Sequence, residues 1–304
     1  MDERAWLERL VTVCGKRCTQ RQKGRFLSFV SGALERSGCT VTLDRGTGAM
    51  GRSCTNLYIG DVRRAKRVVC APYDTASRLL LPGYRYFPLD RRGNLRAELV
   101  WTGLQDLLAL LVLGLAGALL LPLLRGEGPW RAGAMLLLAA VALVCFRLFG
   151  GVPNRYNFTR NSAGAAVLLS LAEEHRGDAE VAFALLDRAT ASFEGYGRLR
   201  EYLGGDGKDV LVLDCVGAGQ ALFLARSGDG GLPAGVRGVD LDEAQRAETP
   251  LAFFPRGTIL CGGEPEGERP VVRHTRSAGD SRIDFQELER ARSVAASLIG
   301  RKSH

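Results

Sequence analysis

Five short stretches of this chain place chemically capable side chains directly after apolar runs. They are Asp74 in APYD, Arg160-Asn161 in RNSAG, Asp187 to Thr190 in DRAT, Asp214 in LDCVG and His274 in RHT. Carboxylates together with an imidazole are the groups that hold a divalent metal or move a proton. A hydrolytic zinc site needs about three protein ligands and an open position for water. Asp214 and His274 cannot hold zinc alone, and Arg160 adds a permanent cation able to neutralise Asp74 or Asp214. Glu173, Glu174 and His175 make a second acidic group, but they end an amphipathic helical pattern and read as solvated.

The elements that must position these residues follow from hydrophobic patterning. Residues 2–13 and 23–37 are helical in pattern, the second with Phe26, Leu27, Val30, Ala33 and Leu34 on one face and Gly38 as its stop. CTVTL (39–43) and NLYIG (56–60) read as short strands around a Gly-rich turn region, 46–51. RVVCAPYDT (67–75), VAFALLD (181–187) and DVLVLDCVG (209–217) read as buried strands, followed by ALFLA (221–225) and GTILCGG (257–263). Residues 76–100 read as a connector. Asn161 is the expected cap of a helix stopped by Gly177, 192–205 reads as a turn and helix, and Asp284 with Glu287 opens a last helix as a capping box. Buried strands alternating with helices predict an α/β domain, whose site lies beyond the carboxyl ends of its strands.

Two apolar runs interrupt that alternation. Leu107 to Leu124 contains no charged or polar side chain, and Ala132 to Phe146 forms a second run that Leu148 and Phe149 continue. At about 1.5 Å per residue, eighteen to twenty helical residues cover roughly 27–30 Å, the hydrocarbon thickness of a bilayer. The expectation is a transmembrane hairpin within 101–150, with helices at about 104–124 and 132–149, joined by the short segment Arg125 to Arg131. Residues 1–100 and 151–304 then form two parts of one α/β domain. Arg85, Arg91, Arg92, Arg96, Arg147, Arg155 and Arg160 flank the outer ends of the hairpin, against Arg125 and Arg131 in its loop. The positive-inside rule places the soluble parts in the cytoplasm.

The order and spacing of APYD, RNSAG, DRAT, LDCVG and RHT resemble the co-catalytic di-zinc aminopeptidase family, which includes glutaminyl cyclases and folate-hydrolase type carboxypeptidases. The resemblance covers roughly 23–75 and 155–300 and implies a three-layer α/β/α fold with a mixed, largely parallel sheet of eight strands. It breaks at the metal. Pro72 stands where the family's first histidine ligand belongs, and Arg160 stands where its bridging carboxylate does. Ala189 and Thr190 replace the Glu-Glu pair that supplies the general base and a further ligand. Asp214 and His274 match two ligands, Asp74 the carboxylate that orients the missing histidine, and Asn161 and Gly164 the helix start. Glu194 could serve as a ligand only if the register slid by four residues.

Composition is that of an ordinary globular chain of 304 residues, 46% hydrophobic and 24% charged, with net charge +8. The arginines are scattered and alternate with no aromatic cluster, so an anionic membrane surface and not nucleic acid is the expected partner. No export signal is recognisable at the first residues, so the eight cysteines are expected reduced, Cys14 and Cys18 included. Three readings follow. The first is a membrane-anchored pseudo-peptidase that needs no cofactor and binds a peptide or amine ligand through Asp74, Arg160, Asn161, Asp214 and His274. The second is an active zinc-dependent aminopeptidase-like hydrolase with a remodelled site. The third is a metabolite-binding or regulatory membrane protein.

Overall fold

The segments that read as buried strands are strands, and the central three are buried on both faces. In the computed structural model, which describes every residue except 49–50, 191, 206, 227–230 and 301–304, these strands form the centre of one sheet. Ala49 and Met50 of the expected Gly-rich turn therefore lie outside the described residues. In chain order the first part comprises α1 (Glu3–Cys14), α2 (Gln20–Arg36), β1 (Val41–Thr47), β2 (Ser53–Ile59), β3 (Arg67–Pro72), β4 (Ser77–Arg78) and β5 (Arg85–Tyr86). Two long helices follow, α3 (Arg91–Arg125) and α4 (Trp130–Phe149). The second part comprises β6 (Val152–Pro153), a π-helical turn (Phe158–Ser162), α5 (Ala163–Glu174), β7 (Val181–Leu186), α6 (Glu194–Leu203), β8 (Asp209–Gly219), β9 (Ala221–Arg226) and β10 (Val236–Asp240). It ends with α7 (Glu243–Ala247), β11 (Gly257–Glu266), β12 (Arg269–Arg273) and α8 (Phe285–Gly300).

The sheet runs β1-β2-β7-β3-β8-β11-β12-β5, with β9 and β10 branching from β11, giving ten strands where the resemblance implied eight. Its centre, β7-β3-β8-β11, is parallel, and β1, β2, β9, β12 and β5 join it antiparallel. Side chains alternate between the two faces along each strand. Val69, Ala71, Phe183, Leu185, Leu211 and Leu213 meet α1, α2, α5 and α8 on one side. Val68, Cys70, Ala184, Leu186, Val210 and Val212 meet Tyr196 and Leu199 of α6 on the other. The architecture is thus three-layered α/β/α, a mixed sheet between helices. All eight cysteines are free thiols, and all but Cys18 are buried.

Residues 76–100 are more ordered than a connector. They hold two short strands, and Asp90 caps α3 by accepting from the amide of Gly93 at 2.8 Å. The first turns of α3 pack on the domain through Ala97 and Trp101, against a small cluster containing Leu79, Tyr84 and Tyr86. Beyond them α3 and α4 pack on each other, and Cys145 Sγ reaches the carbonyl of Ala109 at 3.3 Å. Both helices are long and apolar enough to cross a membrane. Their buried residues are few, Gln105 and Ala109 in α3 and Ala134 and Cys145 in α4, so most of the apolar side chains face outward.

Asn161 does not cap α5. It lies inside the π-helical turn, an element associated with functional positions. Asp280, from the turn after β12, accepts from the amide of Thr159 at 3.1 Å and from its hydroxyl, and fixes that turn. Its second oxygen is buried without a hydrogen-bond partner among the described residues. Burial pushes the Asp280 carboxyl up to about 7, against the lowering effect of the Thr159 hydrogen bonds and of Arg160. A carboxyl with a raised folded-state pKa binds its proton more tightly when folded, so its contribution to stability is complete below about pH 4 and is lost as pH rises toward 7. Urea unfolding of detergent-solubilised protein across that window is expected to show wild-type stability declining with pH more steeply than in Asp280→Asn. Parallel curves for the two proteins would refute the assignment.

Candidate functional site

The sequence-marked positions gather at the carboxyl ends of β3, β7 and β8, in two layers. The outer layer is a cavity of about 60 Å³ lined by Arg160, Asp214, Tyr86, Thr190 and the first turns of α3. Arg160 is 4% exposed and Asp214 8%. The sequence suggested that Arg160 would neutralise Asp74 or Asp214. No direct ion pair to either is formed. Instead the guanidinium lies over the ring of Tyr86, with Cζ 3.9 Å from its centroid, and the Tyr86 hydroxyl donates to Asp214 Oδ2 at 2.8 Å. Tyr86 therefore couples the cation to the carboxylate. Nε and Nη1 of Arg160 are buried and have no hydrogen-bond partner among the described residues.

Electrostatics in this layer are dominated by desolvation. Burial raises the pKa of Asp214, opposed by Arg160 and by the hydrogen bonds from Tyr86 and Cys215. Burial and the adjacent Asp214 raise that of Tyr86 far above its ordinary value, so it remains a neutral donor. Backbone geometry is constrained at the same point. Cys215, next to Asp214, has φ +53°, a left-handed conformation costly for a non-glycine residue. β8 bulges there against β11, and Gly262 admits the approach, because a Cβ on it would sit 2.6 Å from the Cys215 carbonyl.

The inner layer is a buried network beneath the cavity floor. Asp74 Oδ1 accepts from the Thr190 hydroxyl at 3.0 Å and the Ala189 amide at 3.2 Å. Asn161 Nδ2 donates to the Asp74 carbonyl and to Thr190 Oγ1. Asp187 pairs with Lys23 Nζ at 2.5 Å and accepts from the Thr55 amide at 3.1 Å. Arg17 donates to the carbonyls of Tyr73 and Cys14 and to the Ser162 hydroxyl. Burial raises the pKa of Asp74, opposed by Lys23. Two carboxylates and two cations are thus enclosed together, which limits the net charge placed in a low-dielectric interior.

Of the five sequence-marked site residues, Arg160 and Asp214 line the cavity, while Asp74 and Asn161 lie behind Thr190. His274 is elsewhere: it is exposed, has φ +65° in the turn after β12, and does not line the cavity. Glu194 is held by Arg188 at 2.5 Å, and the four-residue register slide does not occur. Cys18 Sγ faces the Thr75 carbonyl at 3.1 Å, with no second thiol engaged. Tyr86, Lys23 and Arg17 were not marked by sequence. Lys23 carried a signal, since it precedes Phe26, Leu27 and Val30 at the spacing of the buried face of α2.

A zinc ion fits these residues poorly. Pro72, Arg160, Ala189 and Thr190 offer a ring, a cation, a methyl and a hydroxyl where carboxylates and imidazole would be needed. Asp214 is already engaged by Tyr86, and among the described residues no group of three or more His, Cys, Asp or Glu is placed to hold a metal.

No family model matches the sequence, and no curated protein matches it. Solved structures do. A glutaminyl cyclase from Bacteroides thetaiotaomicron, determined with N-acetylhistamine bound, aligns over 99% of this chain and 97% of its own at 12% identity, with a TM-score of 0.59. A leucine aminopeptidase precursor from the same organism aligns over 99% and 97% at 11% identity, TM-score 0.57. A Zn-dependent exopeptidase from Parabacteroides distasonis aligns over 99% and 97% at 12% identity, TM-score 0.56. Identities this low carry the fold and not the activity. The chain has the fold of the zinc exopeptidases and glutaminyl cyclases.

Proposed function

We propose that this protein is a membrane-anchored, peptidase-like binding protein that does not hydrolyse peptides. The observation that supports it is the buried guanidinium of Arg160 in the cavity beside Asp214. A fixed cation there supplies the positive charge that a metal would otherwise bring, and it discourages metal from entering. Tyr86 holds the cation and the carboxylate in one arrangement, and Thr190 with Asn161 fixes Asp74 behind them. None of these groups is arranged to deliver an activated water. The soluble partners of such a site are peptides or other small molecules that present a charged end.

The neighbouring folds include a zinc-dependent exopeptidase and glutaminyl cyclases, so the competing reading is hydrolysis or N-terminal glutaminyl cyclisation at a remodelled metal site. Full-length protein purified in detergent separates the two. The expected result is substoichiometric zinc by elemental analysis, with no turnover of aminoacyl arylamides and no cyclisation of glutaminyl peptides. Stoichiometric zinc together with chelator-sensitive turnover would overturn the proposal.

Anchoring rests on the outward-facing leucines of α3, among them Leu107, Leu111, Leu115 and Leu119, and on Leu136, Leu143 and Phe146 of α4. Contiguous apolar surface of this extent needs a non-aqueous partner, and the bilayer supplies one. The arginine bias orients the soluble domain toward the cytoplasm. In a cysteine-free background, Glu127→Cys is expected to react with an impermeant maleimide added to intact cells. Arg155→Cys is expected to react only after permeabilisation, and the opposite pattern would reverse the topology.

A further inference from the structure

The charges lining the cavity do not cancel, and their imbalance points to a ligand. Two of its three carboxylates are already paired by arginines: Glu98 with Arg276 at 2.8 Å, and Glu248 with Arg92 at 2.7 Å. The third, Asp214, accepts from Tyr86. Its cations are otherwise placed. Arg91, exposed on the first turn of α3, lies 4.9 Å from the centroid of the Phe193 ring and makes no ion pair among the described residues. Arg160, 4% exposed, makes no ion pair among the described residues, and its Nε and Nη1 have no hydrogen-bond partner among them. Two cations without an ion pair among the described residues thus face one carboxylate, leaving one positive charge in excess.

We propose that the cavity binds a carboxylate group, with Arg160 as the inner contact and Arg91 at the rim. This deepens the binding role proposed above and rests on it. A single negative charge matches the excess, whereas a phosphate dianion would overshoot it beside Asp214. The planar guanidinium is suited to a planar two-oxygen acceptor, and charge-assisted hydrogen bonds of this kind are among the stronger ones available. Size narrows the class further. A cavity needs about 10–15 Å³ to hold one water, so 60 Å³ admits an acid end and not a peptide. Amine recognition has weaker support, because Asp74 is committed to Ala189 and Thr190 and does not line the cavity.

The carboxylate can belong to a small free acid or to a peptide C-terminus, and calorimetric titration of full-length protein in nanodiscs distinguishes them. The probes are sodium acetate, trialanine, trialanine amide and sodium phosphate. Binding of trialanine but not of its amide is expected for a peptide C-terminus, and binding of acetate alone for a free acid. Either is expected to weaken about tenfold or more in Arg160→Met, as loss of a charge-assisted hydrogen bond requires. Arg91→Met, at an exposed position, provides a second variant and is expected to weaken the same probe about threefold through lost charge attraction. Equal binding of trialanine and its amide, tighter binding of phosphate, no binding of any probe, or unchanged affinity in Arg91→Met would each overturn the carboxylate site. Release of alanine from trialanine during the titration would instead count against the non-hydrolytic reading.

Discussion

A guanidinium buried where it cannot lose its charge is the constraint on which the rest of this site depends. Arg160 is nearly inaccessible to solvent, and arginine does not escape burial by deprotonation as lysine or histidine can. The structure accommodates it in three ways. The aromatic face of Tyr86 lies beneath it. Asp214 is joined to that same ring by the Tyr86 hydroxyl. The π-helical turn that carries it is clamped by Asp280 through Thr159. Together they hold a charged side chain in an ordered cavity at the carboxyl ends of β3, β7 and β8.

Architecture ties the same site to the apolar hairpin. Tyr86 lies in β5 and is followed within a few residues by the cap of α3, so the ring under Arg160 and the start of the long helix share one short segment. The first turns of α3 close one side of the cavity, and the helix then continues without a break into its apolar portion. Glu98 of α3 is paired with Arg276, and Arg92 with Glu248, which pins that helix to the domain on two sides. A helix of 35 residues extends about 52 Å at 1.5 Å per residue, enough to serve as both cavity wall and apolar rod.

How much of this was legible in the sequence depended on whether local pattern or tertiary contact decided the outcome. The central strands were readable because burial on both faces leaves unbroken apolar runs such as VVCA and VAFALL. The apolar lengths of α3 and α4 were readable for the opposite reason, that they pack mainly on each other and leave most of their apolar side chains exposed. The first turns of α3 were not, since Pro, Gly and Arg dominate 82–96 and tertiary contacts fix the helix there, the packing of Ala97 and Trp101 together with the Arg92–Glu248 and Glu98–Arg276 pairs. Asn161 reads as a cap by residue type, yet the Asp74 carbonyl and Thr190 claim its side chain across the fold. Thr19, four positions before Lys23, forms a capping box with Gln22 and starts α2 earlier than its apolar face suggested. Tyr86 carried no signal, because a two-residue strand gives no periodicity to read.

One tyrosine ring joins the Arg160 cation to the Asp214 carboxylate. The most direct measurement is a double-mutant cycle of Arg160→Met and Asp214→Asn, read by urea unfolding of the full-length protein in detergent. Removing either partner leaves the other's charge uncompensated, so the double variant should be less damaged than the two single losses imply, with a coupling energy of about 0.5–3 kcal/mol. Strictly additive losses, with no coupling between the two positions, would contradict the account.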